Sequence, residues 1–211
     1  MRKSAIAIAL VTMLFAALCL AGCGGSGNKA ADPAKAKYDE AVALFEQGKF
    51  YSAKVAFEES EYEDWEDRAA ACVQPFPATG ELFHKEGVTS DDMRLDLSVY
   101  AEDESVGRYI SVYTEENELV VTVFIQGSGT VGSWLPGGNY YIRDAAGYEW
   151  YGEDEQFGPD GSYEKMVFDE VEGDRYLTVL DTGYAWEISI NSNSGDGQDV
   201  DSETTGWEDR G

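Results

Sequence analysis

The period of the apolar residues changes along this chain, and each change marks a boundary. Residues 5–20 are almost uniformly apolar, with no period. From Asp32 the spacing becomes helical. Asp32 followed by Pro33 is an N-cap residue and a proline at the first helical position. Tyr38, Ala41, Val42, Leu44 and Phe45 then recur three and four residues apart, and Gly48 closes the run. The same spacing predicts a second helix over about 51–60, with Ala53, Ala56 and Phe57 on one side. A third is predicted over about 61–73, carrying Tyr62, Trp65, Ala69 and Cys72 and ending before Pro75-Phe76-Pro77.

Beyond those prolines the period falls to two. Leu95, Leu97 and Val99 alternate with Asp96, Ser98 and Tyr100, and Leu119, Val121, Val123 and Ile125 alternate likewise. Tyr184, Trp186, Ile188 and Ile190 close the series, with further strands expected near 109–114, 130–135, 140–144, 163–168 and 176–180. Gly127-Ser128-Gly129, Pro136-Gly137-Gly138-Asn139 and Pro159-Asp160-Gly161 supply the turns. The pattern predicts an α+β fold, mainly β: a short N-terminal antiparallel helical hairpin (33–76), then an antiparallel β-sandwich of seven or eight strands (77–190). Residues 191–211 hold six acids and little apolar matter beyond Val200 and Trp207, which predicts a disordered acidic tail.

Arg2 and Lys3 ahead of the apolar run give the N-terminus the layout of a secretory signal, and the run is shorter than the roughly 20 residues that span a bilayer. Leu20-Ala21-Gly22-Cys23 resembles the bacterial lipobox. The resemblance implies that 1–22 is a lipoprotein signal peptide, that Cys23 carries diacylglycerol on its sulfur, with palmitate-type acyl chains, and that the mature chain is anchored to the extracytoplasmic face of the cell membrane. Two chains suffice for stable anchoring. Residues 23–32, rich in Gly, Ser, Asn and Ala, suit a flexible tether with a reach of about 17 Å.

Loss of the leader would remove two of the 15 bases and none of the 41 acids, leaving a net charge of −28. That charge repels nucleic acid and anionic headgroups at long range, so neither is expected as a partner. With Cys19 in the leader and Cys23 lipidated, Cys72 is left unable to form an intramolecular disulfide. It lies on an apolar helical stripe, and the chain's one histidine, His84, near the domain junction, is its only imidazole base. A buried structural thiol is therefore expected.

Ala41, Leu44, Gly48, Phe50, Ala53 and Phe57 resemble the small-and-aromatic spacing of a tetratricopeptide repeat. The resemblance covers about one repeat and implies closely packed helices. Leu135, Pro136, Gly138, Tyr140 and Ile142 resemble the Leu-Pro-x-Gly-x-Tyr-x-Ile pattern of carboxypeptidase-regulatory-like, transthyretin-like sandwiches. Together with the lipobox, these features resemble secreted lipoproteins of unknown function from Gram-positive bacteria, and imply a non-catalytic adhesion or scaffold module.

Candidate chemistry concentrates in Tyr148-Glu-Trp-Tyr-Gly-Glu-Asp-Glu-Gln-Phe-Gly158. Of Trp150 and Tyr151, adjacent on an extended segment, one is expected in the core. The carboxylates of the following loop are expected in water, with Phe157 folding back. Asp154, Glu155 and Asp160 are weak candidates for Ca²⁺, although their spacing is not that of an EF-hand. Tyr100, Tyr109, Tyr113 and Tyr141 fall opposite the aliphatic positions of their strands and, with Trp150 and Tyr151, are the candidate binding surface for a glycan or a partner side chain. Gly127-Ser128-Gly129 is not a nucleophile elbow, and zinc-protease, paired Cys-x-x-Cys and phosphate-loop motifs are absent from the sequence. The expectation is a lipid-anchored binding or scaffold protein of the envelope, without cofactor or catalysis, engaging a protein partner. A glycan-binding module comes second and a carboxylate-based hydrolase third.

Overall fold

The computed structural model describes residues 32–167, 177–179, 185–191 and 201–209. All belong to the larger of the two compact units into which the chain divides, residues 31–211. Cys23, the tether, and the expected strand positions at 168, 176, 180 and Tyr184 lie outside the described residues. Among the described residues no helix is long and apolar enough to cross a membrane.

Helix α1 (Pro33–Glu46) starts where its N-cap predicts, with the Asp32 carboxylate accepting from the Ala34 N–H at 3.1 Å. Gly48 takes a left-handed φ of +77°, which favours glycine, and α2 (Phe50–Ser60) turns back along α1. Helix α3 (Trp65–Ala71) begins four residues later than the periodicity predicts, because Glu61 and Glu63 adopt left-handed backbone and break the helical run. The buried Ser60 hydroxyl ties the break, donating to Phe57 O and accepting from the Tyr62 N–H. Ala41, Ala53 and Ala56 are buried at the helix contact, where small side chains permit close approach, and the Tyr38 and Phe57 rings meet edge-on at 5.2 Å. Cys72 completes this core.

The larger sheet runs β1 (Gly80–His84), β4 (Leu119–Gln126), β3 (Gly107–Thr114), β6 (Gly138–Gly147), β7 (Ser162–Val167) and β10 (Asp201–Thr204), with β8 (Leu177–Val179) paired to the start of β6. The smaller sheet runs β5 (Gly129–Leu135), β2 (Met93–Tyr100) and β9 (Trp186–Asn191). One apolar core lies between the sheets, filled by Leu95, Leu97, Val99, Ile188 and Ile190 from the smaller and Ile110, Val112, Val121, Val123, Ile125 and Ile142 from the larger. The alternation therefore identified the inward face correctly.

Three features differ from expectation. Strand β9 pairs with β2 in parallel, whereas an all-antiparallel sandwich was expected. Alternating burial specifies a face but not a direction, and β9 follows β8 of the other sheet rather than closing a hairpin with β2. Strand β1 was missed because a register shift between Glu81 and Phe83 disrupts its period. The expected disordered tail contains β10, which pairs antiparallel with β7, and a short 3₁₀ turn at Trp207–Asp209. Its Asp-Ser-Glu-Thr sequence has no apolar residue to mark a strand, and the ladder is continued by the Thr205 N–H to Tyr163 O at 2.8 Å.

The outer face of the larger sheet is also covered at one end. Tyr109, Phe124, Ala145, Trp150, Phe157 and Tyr163 form a second buried cluster there, with Phe76, Leu82 and Trp207 packed against it. This second layer buries Phe124 along with its inward-facing neighbours Val123 and Ile125.

Candidate functional site

The aromatic and acidic stretch 148–158 lies between the helices and the larger sheet, and its two faces serve different neighbours. Trp150 enters the second cluster, 5.5 Å from the Tyr109 ring and 5.2 Å from Phe157. Tyr151 points the opposite way, onto α2, meeting the Tyr51 ring edge-on at 5.2 Å. Both are buried, which corrects the expectation that only one would be: alternation sends them to opposite faces, but each face is covered. Tyr151 also receives a hydrogen bond from the Lys54 ammonium at 3.0 Å and donates to Glu149, while Lys54 pairs with Glu149 at 3.2 Å. Burial and the bond to Glu149 push the Tyr151 phenol up to about 12.

Glu155 overturns a second expectation. Its carboxylate does not stay in water; it is 4% exposed and caps the start of α2. It accepts from the Tyr51 N–H at 2.7 Å, the Ser52 N–H at 3.3 Å and the Ser52 hydroxyl. The first turn of a helix presents unsatisfied N–H groups and positive potential, so a carboxylate there is stabilised by charge as well as by hydrogen bonds. Helix α2 has no side-chain cap of its own, Lys49 standing at its N-cap position. The cap is supplied from about a hundred residues away, and it fastens helix to sheet.

The loop is shaped to deliver that carboxylate. The Tyr151 N–H donates to Gln156 O and the Gln156 N–H to Gly152 O, both at 2.7 Å, folding the segment on itself. Gly158 takes a φ of +64°, and a Cβ there would lie 2.8 Å from the Tyr51 ring. The Trp207 ring meets Tyr51 edge-on at 5.2 Å, and its indole N–H donates to Glu155 O at 3.2 Å. The backbone bridge from the Gln74 N–H to Trp150 O, at 2.8 Å, adds a further link from the helical region.

The calcium candidates do not converge. Glu155 is committed to α2 while Asp154 and Asp160 are exposed, and among the described residues no group of three or more His, Cys, Asp or Glu is placed to hold a metal. The tyrosines do not form one platform either. Tyr100 is exposed on the smaller sheet, whereas Tyr109 is buried against Trp150 with its hydroxyl donating to Glu153. Burial raises the Tyr109 phenol. Tyr113 and Tyr141 do come together, stacked at 5.2 Å with rings 10° apart, and Tyr141 donates to Asn117. Tyr141 is itself buried.

Cys72 is buried and its thiol donates to Arg68 O at 3.3 Å; burial pushes it up to about 11, so it is protonated and inert at neutral pH. His84 sits on β1, within 2.6 Å of a Glu81 oxygen and on the surface. No motif or hydrophobic period points to Tyr51, Ser52, Lys54 or Gln156 as parts of the joint. Trp207 did carry a signal, as the one aromatic residue in an otherwise polar acidic segment.

Comparison with known proteins found no matching family model, no matching curated protein and no matching solved structure.

Proposed function

We propose that this chain is a lipid-anchored scaffold of the cell envelope, held outside the membrane by Cys23, engaging a protein partner and performing no catalysis. The observation that carries the reading is the internal use of the 148–158 loop. Trp150, Tyr151, Glu155 and Phe157, the residues best suited to grip a ligand, instead grip the protein's own helices and sheet. Such a joint makes one stiff body of the helical hairpin and the sandwich, as presenting a surface at the end of a tether requires. The lipobox-like Leu20-Ala21-Gly22-Cys23 supports the anchor, and the acidic surface supports a partner that is neither nucleic acid nor an anionic bilayer.

The test is detergent phase partition and external protease accessibility in a bacterium that processes lipoproteins. The wild-type chain is expected in the detergent phase and open to protease from outside, with Cys23→Ser released to the aqueous phase. In-cell cross-linking of the anchored protein should then yield a discrete adduct with one envelope protein. A wild-type chain in the cytosol, or a wall polysaccharide as the cross-linked species, overturns the reading.

A further inference from the structure

Among the described residues three large apolar side chains are exposed, Phe83, Tyr100 and Tyr148, and the two tyrosines stand at the same end of the sandwich. Tyr100 closes β2 and Tyr148 follows β6. Between them lie the 101–106 connection into β3 and the 126–129 turn from β4 to β5, brought together because Gly107 pairs with Gln126 on one side and Gly147 on the other. Neither ring belongs to the joint or to a buried cluster.

The loops that carry them are tied to one another. The Ala101 N–H donates to the Ser128 hydroxyl at 3.1 Å, and the Glu104 carboxylate accepts from the Ser128 N–H at 3.0 Å and from its hydroxyl at 2.9 Å. The Gly127 N–H donates to Val106 O at 2.8 Å. Gly127 takes a left-handed φ of +63°, and a Cβ there would collide with the Glu104 carboxylate, so the turn needs glycine. The Tyr148 hydroxyl reaches Asp103 at 3.3 Å. Loops fixed in this way lose little freedom on binding.

Two kinds of group at this end attract organic cations. The faces of exposed tyrosine rings draw lysine and arginine through the ring quadrupole. Asp103 and Glu104 are exposed, and among the described residues neither has a base within 4 Å. Residues 99–107, 126–129 and 145–149 contain no lysine or arginine. Hydrogen bonds from Ser105 and Tyr148 hold the Asp103 carboxyl below its usual range, which keeps it charged. Tyrosine also supplies contact area with few torsions to freeze.

We infer that this end of the sandwich, with Tyr100 and Tyr148 as anchors, is the face on which the protein partner docks, and that the partner meets it with a segment bearing lysine or arginine. The inference rests on the scaffold reading, to which it adds the docking face and the chemistry of the partner. The acidic body draws a basic segment from a distance, and the rings fix where it settles.

The probe is a short synthetic peptide of alternating lysine and serine, with a glutamate-and-serine peptide as control, titrated into the isotope-labelled full-length chain at constant ionic strength. Saturable NMR shifts are expected at the Tyr100 and Tyr148 rings and at the Asp103 and Ser128 amides, with the lysine peptide alone. Tyr100→Ser and Tyr148→Ser in one chain should weaken binding about tenfold, the combined effect of two exposed cation–ring contacts, whereas Tyr100→Phe and Tyr148→Phe should stay within about twofold of wild type. Native amide spectra establish that both variants keep the fold. Shifts spread evenly over the exposed acids of α1 and α3, no saturable shift, or equal binding by the serine variant overturns the inference. In cells, a photo-cross-linking residue at position 148 should join a lysine- or arginine-bearing peptide of one envelope protein. A protein adduct from a cross-linker at position 40, on α1, but none from 148 overturns the docking face and leaves the scaffold reading standing. No protein adduct from either position overturns both.

Discussion

Replacing Glu155 by alanine should loosen the helices from the sheet without unfolding either. The substitution removes one carboxylate that accepts from two backbone N–H groups and one hydroxyl at the start of α2. A hydrogen bond to a charged group contributes about 1.5–3 kcal/mol, and a carboxylate at a helix N-terminus about 0.3–1 kcal/mol more. Tyr51 and Ser52 are only half-buried, so water recovers part of the loss once the side chain is gone. The net cost is about 3 kcal/mol, or about a hundredfold in the opening equilibrium. Amide hydrogen exchange reads it residue by residue. The Tyr51, Ser52 and Ala53 N–H groups should exchange about a hundredfold faster in Glu155→Ala, while those of Ile110 and Val123 in the sandwich core change little. Glu155→Gln, which keeps an acceptor but no charge, should fall between. Protection at Tyr51 and Ser52 within about threefold of wild type would refute the view that this carboxylate fastens α2.

Other changes test the same account. Gly158→Ala adds a Cβ 2.8 Å from Tyr51 at a left-handed φ and should cost about 2–4 kcal/mol in denaturant unfolding; a loss under about 0.5 kcal/mol contradicts the close packing. Trp207→Ala removes the ring packed on Tyr51 and the indole donor to Glu155 O, and should destabilise by about 2–3 kcal/mol, whereas a disordered tail would give no change. Asp144 is buried beside Arg108, and burial, opposed by that guanidinium, lifts its carboxyl to about 6. Its folded value lies above its unfolded one, so its contribution is full below about pH 4 and is lost as pH rises through about 6, a decline of order 3 kcal/mol. Urea midpoints from pH 4 to 7 should show that decline in wild type and a flatter profile in Asp144→Asn; parallel profiles would contradict it. Cys72 should react with a thiol reagent only at the rate of unfolding, and labelling of the native protein within minutes would show that it is not buried.

Much of the fold was legible because burial on one side imposes a period. Leu95, Leu97 and Val99 alternated cleanly since the outer face of β2 meets solvent at Tyr100 and Arg94. The signal weakened where both faces are covered: Val120 to Ile125 are buried without a break, so the aromatic layer on the outer face was invisible in the spacing. Parallel pairing of β9, the bulge in β1 and the pairing of the polar β10 with β7 leave no mark on hydrophobic period. The joint was half legible. Trp150, Tyr151 and Phe157 drew notice as an aromatic cluster, but a glutamate that caps a distant helix looks in sequence like any solvated glutamate. The ring stack of Tyr113 on Tyr141 follows from their directly opposed register on β3 and β6, which no local pattern specifies.

The proposed function depends first on a lipid at Cys23 that carries this acidic body. Mass spectrometry of the N-terminal peptide from protein purified out of a lipoprotein-processing bacterium reads that modification. The expected peptide begins at Cys23 with diacylglycerol on its sulfur. A peptide that runs through Cys23 from an upstream residue, with an unmodified thiol, would contradict it.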